Sequence, residues 1–310
     1  MMECDNNRYA PIVVFAFNRL DTLQATIRSL LSNAESSESD LYVYVDGPRQ
    51  SKVGEAEKVE AVRTYVKSIQ GFRSVFYQFS DHNKGLANSV IGGVSDVFRT
   101  NDKVIVVEDD LCLSRSFLMF MNKMLNLYAG DDRIMQISGY GCKLSRGVVN
   151  GYDYDIYMNE RAHSWSWATW KDRWESVDWN VSDYDELSKS KSLQRCFNKR
   201  GSDLYGMLKA YMEGENQSWY IRFNYSMYKQ GRYSVMPIKS LVRNDGFGND
   251  ATNCNAYNRY KVDFEDYHLG EFRVPDELSP NERIMKDSVR YWSIPYRVYG
   301  KFMTLINKCL

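Results

Sequence analysis

The chain has 310 residues, enough for one large α/β domain or two smaller ones around a substantial core. Hydrophobic residues make up 44% of it, prolines number only six, and 40 basic residues balance 40 acidic ones, which excludes an extended disordered chain and argues against a polyanion as the main partner. The six cysteines are scattered, without zinc-site spacing or the density of a disulfide framework, and read as reduced thiols; no secretory leader or bilayer-spanning run is visible, so a cytoplasmic location is expected.

The first half alternates strand and helix signals, the pattern of a parallel sheet wrapped by helices. A continuous apolar strand over residues 12–17 runs into Asn18-Arg19-Leu20-Asp21, where Asp21 can cap a helix with Leu23, Ile27, Leu30 and Leu31 on one face. Residues 41–45 form the second strand and end at Asp46-Gly47-Pro48. A helix bearing Val59, Val62, Val66 and Ile69 leads to a third strand at 75–79, which exits through Ser80-Asp81-His82-Asn83-Lys84-Gly85. Leu86, Val90, Ile91, Val94 and Val97 mark the next helix. The fourth strand, Val104-Ile105-Val106-Val107, breaks abruptly into Glu108-Asp109-Asp110; an amphipathic helix with Phe117, Phe120, Met121, Met124 and Leu125 and a fifth strand near 134–138 follow.

Three adjacent carboxylates repel one another and need water, hydrogen-bond donors or a cation nearby. An apolar strand that delivers them predicts either a solvated turn or a grip on a hard divalent ion. Polar residues recur at the other strand exits, at Asn18 and Arg19, at Asp46 and at His82 to Lys84. Open α/β sheets bind ligands at that edge, so a cleft is expected there.

Beyond residue 150 the character changes. All seven tryptophans lie at or after Trp165, and 16 of the 23 tyrosines at or after Tyr152. Aromatic faces stack on sugar rings, so this half beside a cation cleft suggests carbohydrate. Trp170 and Trp174 sit one helical turn apart and read as core, whereas Trp165 and Trp167 read as cleft residues. Residues 188–200 are polar and basic and read as a surface connection. The aromatic and basic stretch 291–303 reads as a docked terminal helix, with peripheral contact at the inner membrane face as the alternative.

Several of these segments together resemble the GT-A fold glycosyltransferases, closest to a bacterial family-2-like (hemolytic-protein-like) branch and more remotely to the N-acetylglucosaminyltransferase I group. The resemblance rests on Val13-Val14-Phe15-Ala16-Phe17-Asn18-Arg19, Val45-Asp46-Gly47, His82-Asn83-Lys84-Gly85-Leu86-Ala87 and Val106-Val107-Glu108-Asp109-Asp110-Leu111. Ser164-Trp165-Ser166-Trp167-Ala168-Thr169-Trp170 and Leu241-Val242-Arg243-Asn244-Asp245-Gly246-Phe247 extend it over about residues 10–255. It implies a Rossmann-like nucleotide-diphospho-sugar transferase fold, a mixed central sheet flanked by helices. Residues 10–150 would be the nucleotide-sugar-binding half, 151–275 the acceptor-side half and 276–310 a helical tail.

The resemblance further implies a transfer, with inversion, from a UDP-sugar to a glycan or lipid-linked acceptor, in bacterial surface polysaccharide synthesis. Asp110 would hold a divalent metal, Mn2+ or Mg2+, on the donor diphosphate. Glu108 and Asp109 would face the ribose and donor sugar, and Arg19, Asp46, His82 and Lys84 the nucleotide, with Asp46 a candidate for the uracil edge. Trp165, Trp167 and Trp219 would line the sugar and acceptor cleft. The family's general base is expected beside Trp219, but this chain carries Gln217 and Ser218 there, neither of which takes a proton usefully. Glu215 is the substitute, ahead of Glu213 and Asp245. Asn253, beside Cys254, stands where relatives often show histidine, so no histidine ligand is expected. The missing base keeps a second class open, a non-catalytic nucleotide-sugar or glycan-binding module. A third, nucleotidyl transfer, is disfavoured because Asn18-Arg19-Leu20-Asp21 is a poor triphosphate loop.

Overall fold

The computed structural model describes residues 9–246, 257, 258, 260, 262, 264 and 271–309. Strands β1 (Ile12–Ala16), β2 (Asp40–Val45), β3 (Ser74–Phe79) and β4 (Lys103–Glu108) alternate with helices α1 (Leu20–Leu31), α2 (Glu55–Lys67) and α3 (Leu86–Val97), as the periodicity predicts. Next come β5 (Leu111–Leu113), α4 (Phe117–Leu127), β6 (Ile134–Ser138) and the single turn α5 (Arg146–Val149). The later chain forms β7 (Ile156–Asn159), β8 (Trp167–Trp170), α6 (Lys171–Glu175), α7 (Tyr184–Lys189), α8 (Lys191–Asn198), α9 (Leu204–Met212) and α10 (Trp219–Lys229). Strands β9 (Tyr233–Pro237) and β10 (Val242–Asn244) precede α11 (Glu282–Ser288) and α12 (Ile294–Cys309).

Eight strands make one mixed, largely parallel sheet in the order β3-β2-β1-β4-β8-β6-β9-β7, and β10 pairs antiparallel with β5 beside it. The fold is therefore α/β and compatible with a Rossmann-like arrangement, and strands from both halves of the chain build the same sheet. Alternation along the strands explains the continuous apolar runs, because both faces are covered. Ile12, Val14, Ile105 and Val107 pack under α1, α2 and α4. Val13, Phe15, Val104 and Val106 pack on the opposite face against α3 and α10.

The segment 188–200, expected as a surface connection, is instead mostly helical. Leu187, Leu193 and Phe197 turn toward α9 and α10, and the polar residues between them cover the outside. Charge on one face of a short amphipathic helix had masked the apolar one. In the terminal segment, Ile284, Tyr291 and Trp292 dock against Tyr140, Tyr157 and Met236. Among the described residues no helix is long and apolar enough to cross a membrane.

One buried polar contact fixes the acidic triplet. Thr26, on the apolar face of α1, donates its hydroxyl to the Leu111 carbonyl at 2.9 Å and accepts from the Leu111 N–H at 3.1 Å. A side chain thereby stands in for a strand partner immediately after Asp110. Thr26→Val keeps the shape but leaves a buried N–H and C=O without partners, and is expected to cost about 1–3 kcal/mol. Denaturant unfolding of the variant beside wild type measures it, and an unchanged midpoint would remove Thr26 from this role.

Candidate functional site

In the parallel half, β2 and β3 continue to one side of β1 while β4 lies on the other, so the order reverses between β1 and β4. Open α/β sheets leave a crevice at such a switch point, beyond the carboxyl ends of the strands. Arg19 follows β1, and Glu108, Asp109 and Asp110 end β4, in the register that pairs Phe15 with Glu108.

Here the guanidinium of Arg19 donates to Asp109 Oδ1 at 2.5 Å and to Asp110 Oδ2 at 2.9 Å. The Phe17 N–H also donates to Asp109. Asp110 Oδ1 is buried and has no hydrogen-bond partner among the described residues. An orphaned carboxylate oxygen of this kind is costly unless something binds it. The Asp110 carbonyl accepts from the Asp245 N–H at 2.9 Å, and Gly246 crosses so close that a Cβ there would overlap the Asp110 carboxylate. Only a glycine lets the chain after β10 pass over that carboxylate.

The electrostatics follow from burial. Burial, then the charges of Asp110 and Asp109, hold the Glu108 carboxyl well above the ordinary carboxylate range. Burial likewise pushes Asp109 up to about 6, although Arg19 pulls the other way. One guanidinium thus does not satisfy three acids, and the cluster gains by taking up protons or a further cation. Among the described residues no group of three His, Cys, Asp or Glu side chains converges as a metal site. The carboxylate oxygens would suit a hard divalent ion, to which Asp110 would give one oxygen.

Asp46 lies at the same edge but turns its carboxylate inward. Oδ1 accepts from the Gly47 and Lys84 N–H groups and Oδ2 from that of Gly85, at 2.8–2.9 Å. Asn83 donates to the Gly47 carbonyl at 3.0 Å, and a Cβ on Gly47 would meet the His82 backbone. The exits of β2 and β3 are thereby locked into one wall, and Asp46 positions it. The His82 and Lys84 side chains are exposed on that wall. At the neighbouring exit Glu55 accepts from Arg49, whose guanidinium lies 5.4 Å from the Phe17 ring centre, and from Asn18. Sequence reasoning missed this lock, as it missed Thr26, although a lone threonine among Leu23, Ile27 and Leu30 was the available signal.

The tryptophans separate. Trp165 is half-buried and packs edge-on against Tyr140 and Tyr260 at 5.0 and 5.7 Å between ring centres. Trp167 is fully buried, stacked on Trp174 and tilted against Trp219 and Phe223. Trp219 is 3% exposed in the same cluster. Trp167 and Trp219, expected in the cleft, are core residues; of the three, Trp165 alone sits at the strand-exit edge with part of its surface open.

Glu215 is exposed on the segment joining α9 to α10, and its carboxylate has no partner among the described residues. Gln217 Oε1 lies beside Gly85, which brings that segment to the wall formed by the β2 and β3 exits. Ser218 caps α10 by accepting from the Ile221 N–H. Glu213 pairs with Lys209 and Asp245 with Arg243. Phe247, Asn253 and Cys254 lie outside the described residues.

Behind Trp165, Arg161 makes a bidentate pair with Asp203 at 2.9 Å, donates to the Tyr220 hydroxyl and lies 4.3 Å from the Trp292 ring centre. His163 is buried between Tyr140 and Trp292. Burial, then the Arg161 charge, holds its imidazole well below the ordinary 6.5, so it stays neutral in the fold. The unfolded chain takes up a proton there below about pH 6.5. Stability is therefore expected to fall with acidification from about pH 6.5, by up to about 1.4 kcal/mol per pH unit, until the folded imidazole itself titrates. Denaturant titrations across this range compare wild type with His163→Gln, whose profile should be flatter by that slope; parallel profiles would show that His163 titrates alike in both states.

No family model matches the chain, and no curated protein matches its sequence.

Proposed function

We propose that the chain is a metal-dependent glycosyltransferase of the GT-A type, which moves a sugar from a UDP-sugar to a glycan or lipid-linked acceptor with inversion. The observation that carries this reading is the meeting of Arg19 with Asp109 and Asp110 at the switch point, with Asp110 Oδ1 left without a partner among the described residues. A diphosphate brings negative charge and needs cations, and a divalent ion bound by Asp110 supplies charge neutralisation for the leaving group.

The chain's own residues divide the remaining work. Arg19 places a fixed positive charge at the β1 exit. Asp46 holds the wall that carries His82 and Lys84, beside which the nucleotide lies. Trp165 offers an aromatic surface to a sugar. The acceptor hydroxyl attacks the anomeric carbon; the new carbon–oxygen bond forms as the bond to diphosphate breaks, and the hydroxyl proton goes to a carboxylate. Glu215 is the candidate for that base, because its exposed carboxylate, without a partner among the described residues, sits on the segment that reaches the wall at Gly85.

Ser218, occupied in capping α10, favours a second reading in which the site binds donor or glycan without turnover. Thermal shift with UDP-, GDP-, CMP- and dTDP-sugars, with and without manganese, tests the nucleotide and metal together. A rise in melting temperature is expected for UDP-sugars and only with metal. No shift with any donor would remove both readings, and a shift without release of UDP to any acceptor or water would select the second.

A further inference from the structure

Helix α12 leaves a long apolar face uncovered. Ile294, Val298, Phe302 and Leu305 follow at spacings of four, four and three, the period of one helix face, and each is 59–65% exposed. Tyr299, half-exposed, widens the stripe. A different side of the helix meets the protein: Thr304 Oγ1 accepts from the Tyr257 N–H at 2.9 Å, and Arg297 donates to the Ser202 carbonyl at 3.1 Å. The exposed Lys301 lies at the margin between the packed side and the apolar stripe, one turn from Arg297, whose guanidinium Ser202 holds on the packed side. The whole of α12 contains no Asp or Glu.

We infer that this face of α12 docks onto an anionic lipid bilayer, lying in the interface with Phe302 and Leu305 among the acyl chains and Lys301 at the headgroups. An apolar stripe edged by the Lys301 ammonium, in a helix with no acid, is complementary to such a surface. It is poorly complementary to itself, because two copies packed about a two-fold axis would bring their cationic margins into one contact without any acid from either helix. The packed side of α12 holds Tyr257, and Tyr260 close by in sequence packs edge-on against Trp165 and tilted against Trp292. Docking would therefore set the aromatic side of the cleft near the membrane. The inference does not rest on the transfer chemistry.

Co-sedimentation of the full chain with vesicles of phosphatidylcholine, with and without phosphatidylglycerol, tests this without any donor or turnover. Binding is expected on the anionic vesicles and to weaken with salt. Phe302→Ser with Leu305→Ser should lower it about tenfold or more. Lys301→Glu should lower it about fivefold or more, on anionic vesicles only. Both variants change exposed side chains, and an unaltered circular dichroism spectrum and melting temperature establish that they fold. Absence of wild-type binding, or binding that the substitutions leave unchanged, would overturn the proposal. So would a dimer in sedimentation velocity that the double substitution abolishes, because a second copy would then own this face.

Discussion

Asp110→Asn is expected to abolish manganese-dependent binding of a UDP-sugar and to lower turnover by on the order of 10²–10³-fold, with the fold intact. With its one carbonyl oxygen accepting from Arg19, the amide presents its NH2, a donor that binds no cation, at the position of Oδ1. Stability should stay level or rise, because the substitution removes one of three crowded carboxylates and relieves Glu108 and Asp109 of a like charge. The two effects have opposite signs, so titration calorimetry of UDP with manganese and a thermal melt together separate lost binding from lost folding. Wild-type affinity in the variant would end the metal assignment.

Trp167→Ala is expected to act in the opposite sense, damaging the fold first. Its indole is fully buried and makes ring contacts at 5.0–5.9 Å with Trp174, Trp219 and Phe223, so truncation leaves a large cavity that rigid neighbours cannot fill. A loss of about 3–5 kcal/mol follows, and a fall in melting temperature on the order of 5–10 °C. Trp165→Ala, at the half-buried position, should cost much less stability. A thermal melt of the two variants side by side decides the matter: equal, small shifts would mean that Trp167 faces a cleft after all.

The contrast between these two tryptophans marks how far the sequence could be read. Continuous apolar strands flanked by period-3.6 helices gave β1 to β4, and the sudden change from Val107 to Glu108 located the charged edge, since both are consequences of burial that leave a pattern in the chain. Trp165 and Trp167 have strand spacing and so read as one face. The structure separates them because Ser166 has a positive φ of 48°, which breaks the alternation just before β8 begins and sends the two indoles to different sides of the sheet. Asp46 was legible as a residue of the site edge but not by orientation, because its carboxylate answers backbone N–H groups 38 and 39 positions away. Such bonds depend on how loops fold back, and no local spacing encodes them. Gly246 belongs to the same class: its closeness to Asp110 exists only once β10 has paired with β5.

The neighbours of β4 are both remote in the chain: β1 lies near the amino terminus, and β8 arrives only after β6 and β7 have been made. Loop-closure entropy of that length must be met before these pairings stabilise the carboxylate-bearing strand. A fragment ending near residue 150 would lack β8 and expose the bare flank of Val104 to Val107, a sticky edge that invites aggregation. The charged strand-exit edge and the chain's protection against edge-to-edge aggregation thus share one requirement, the arrival of an aromatic strand from the second half.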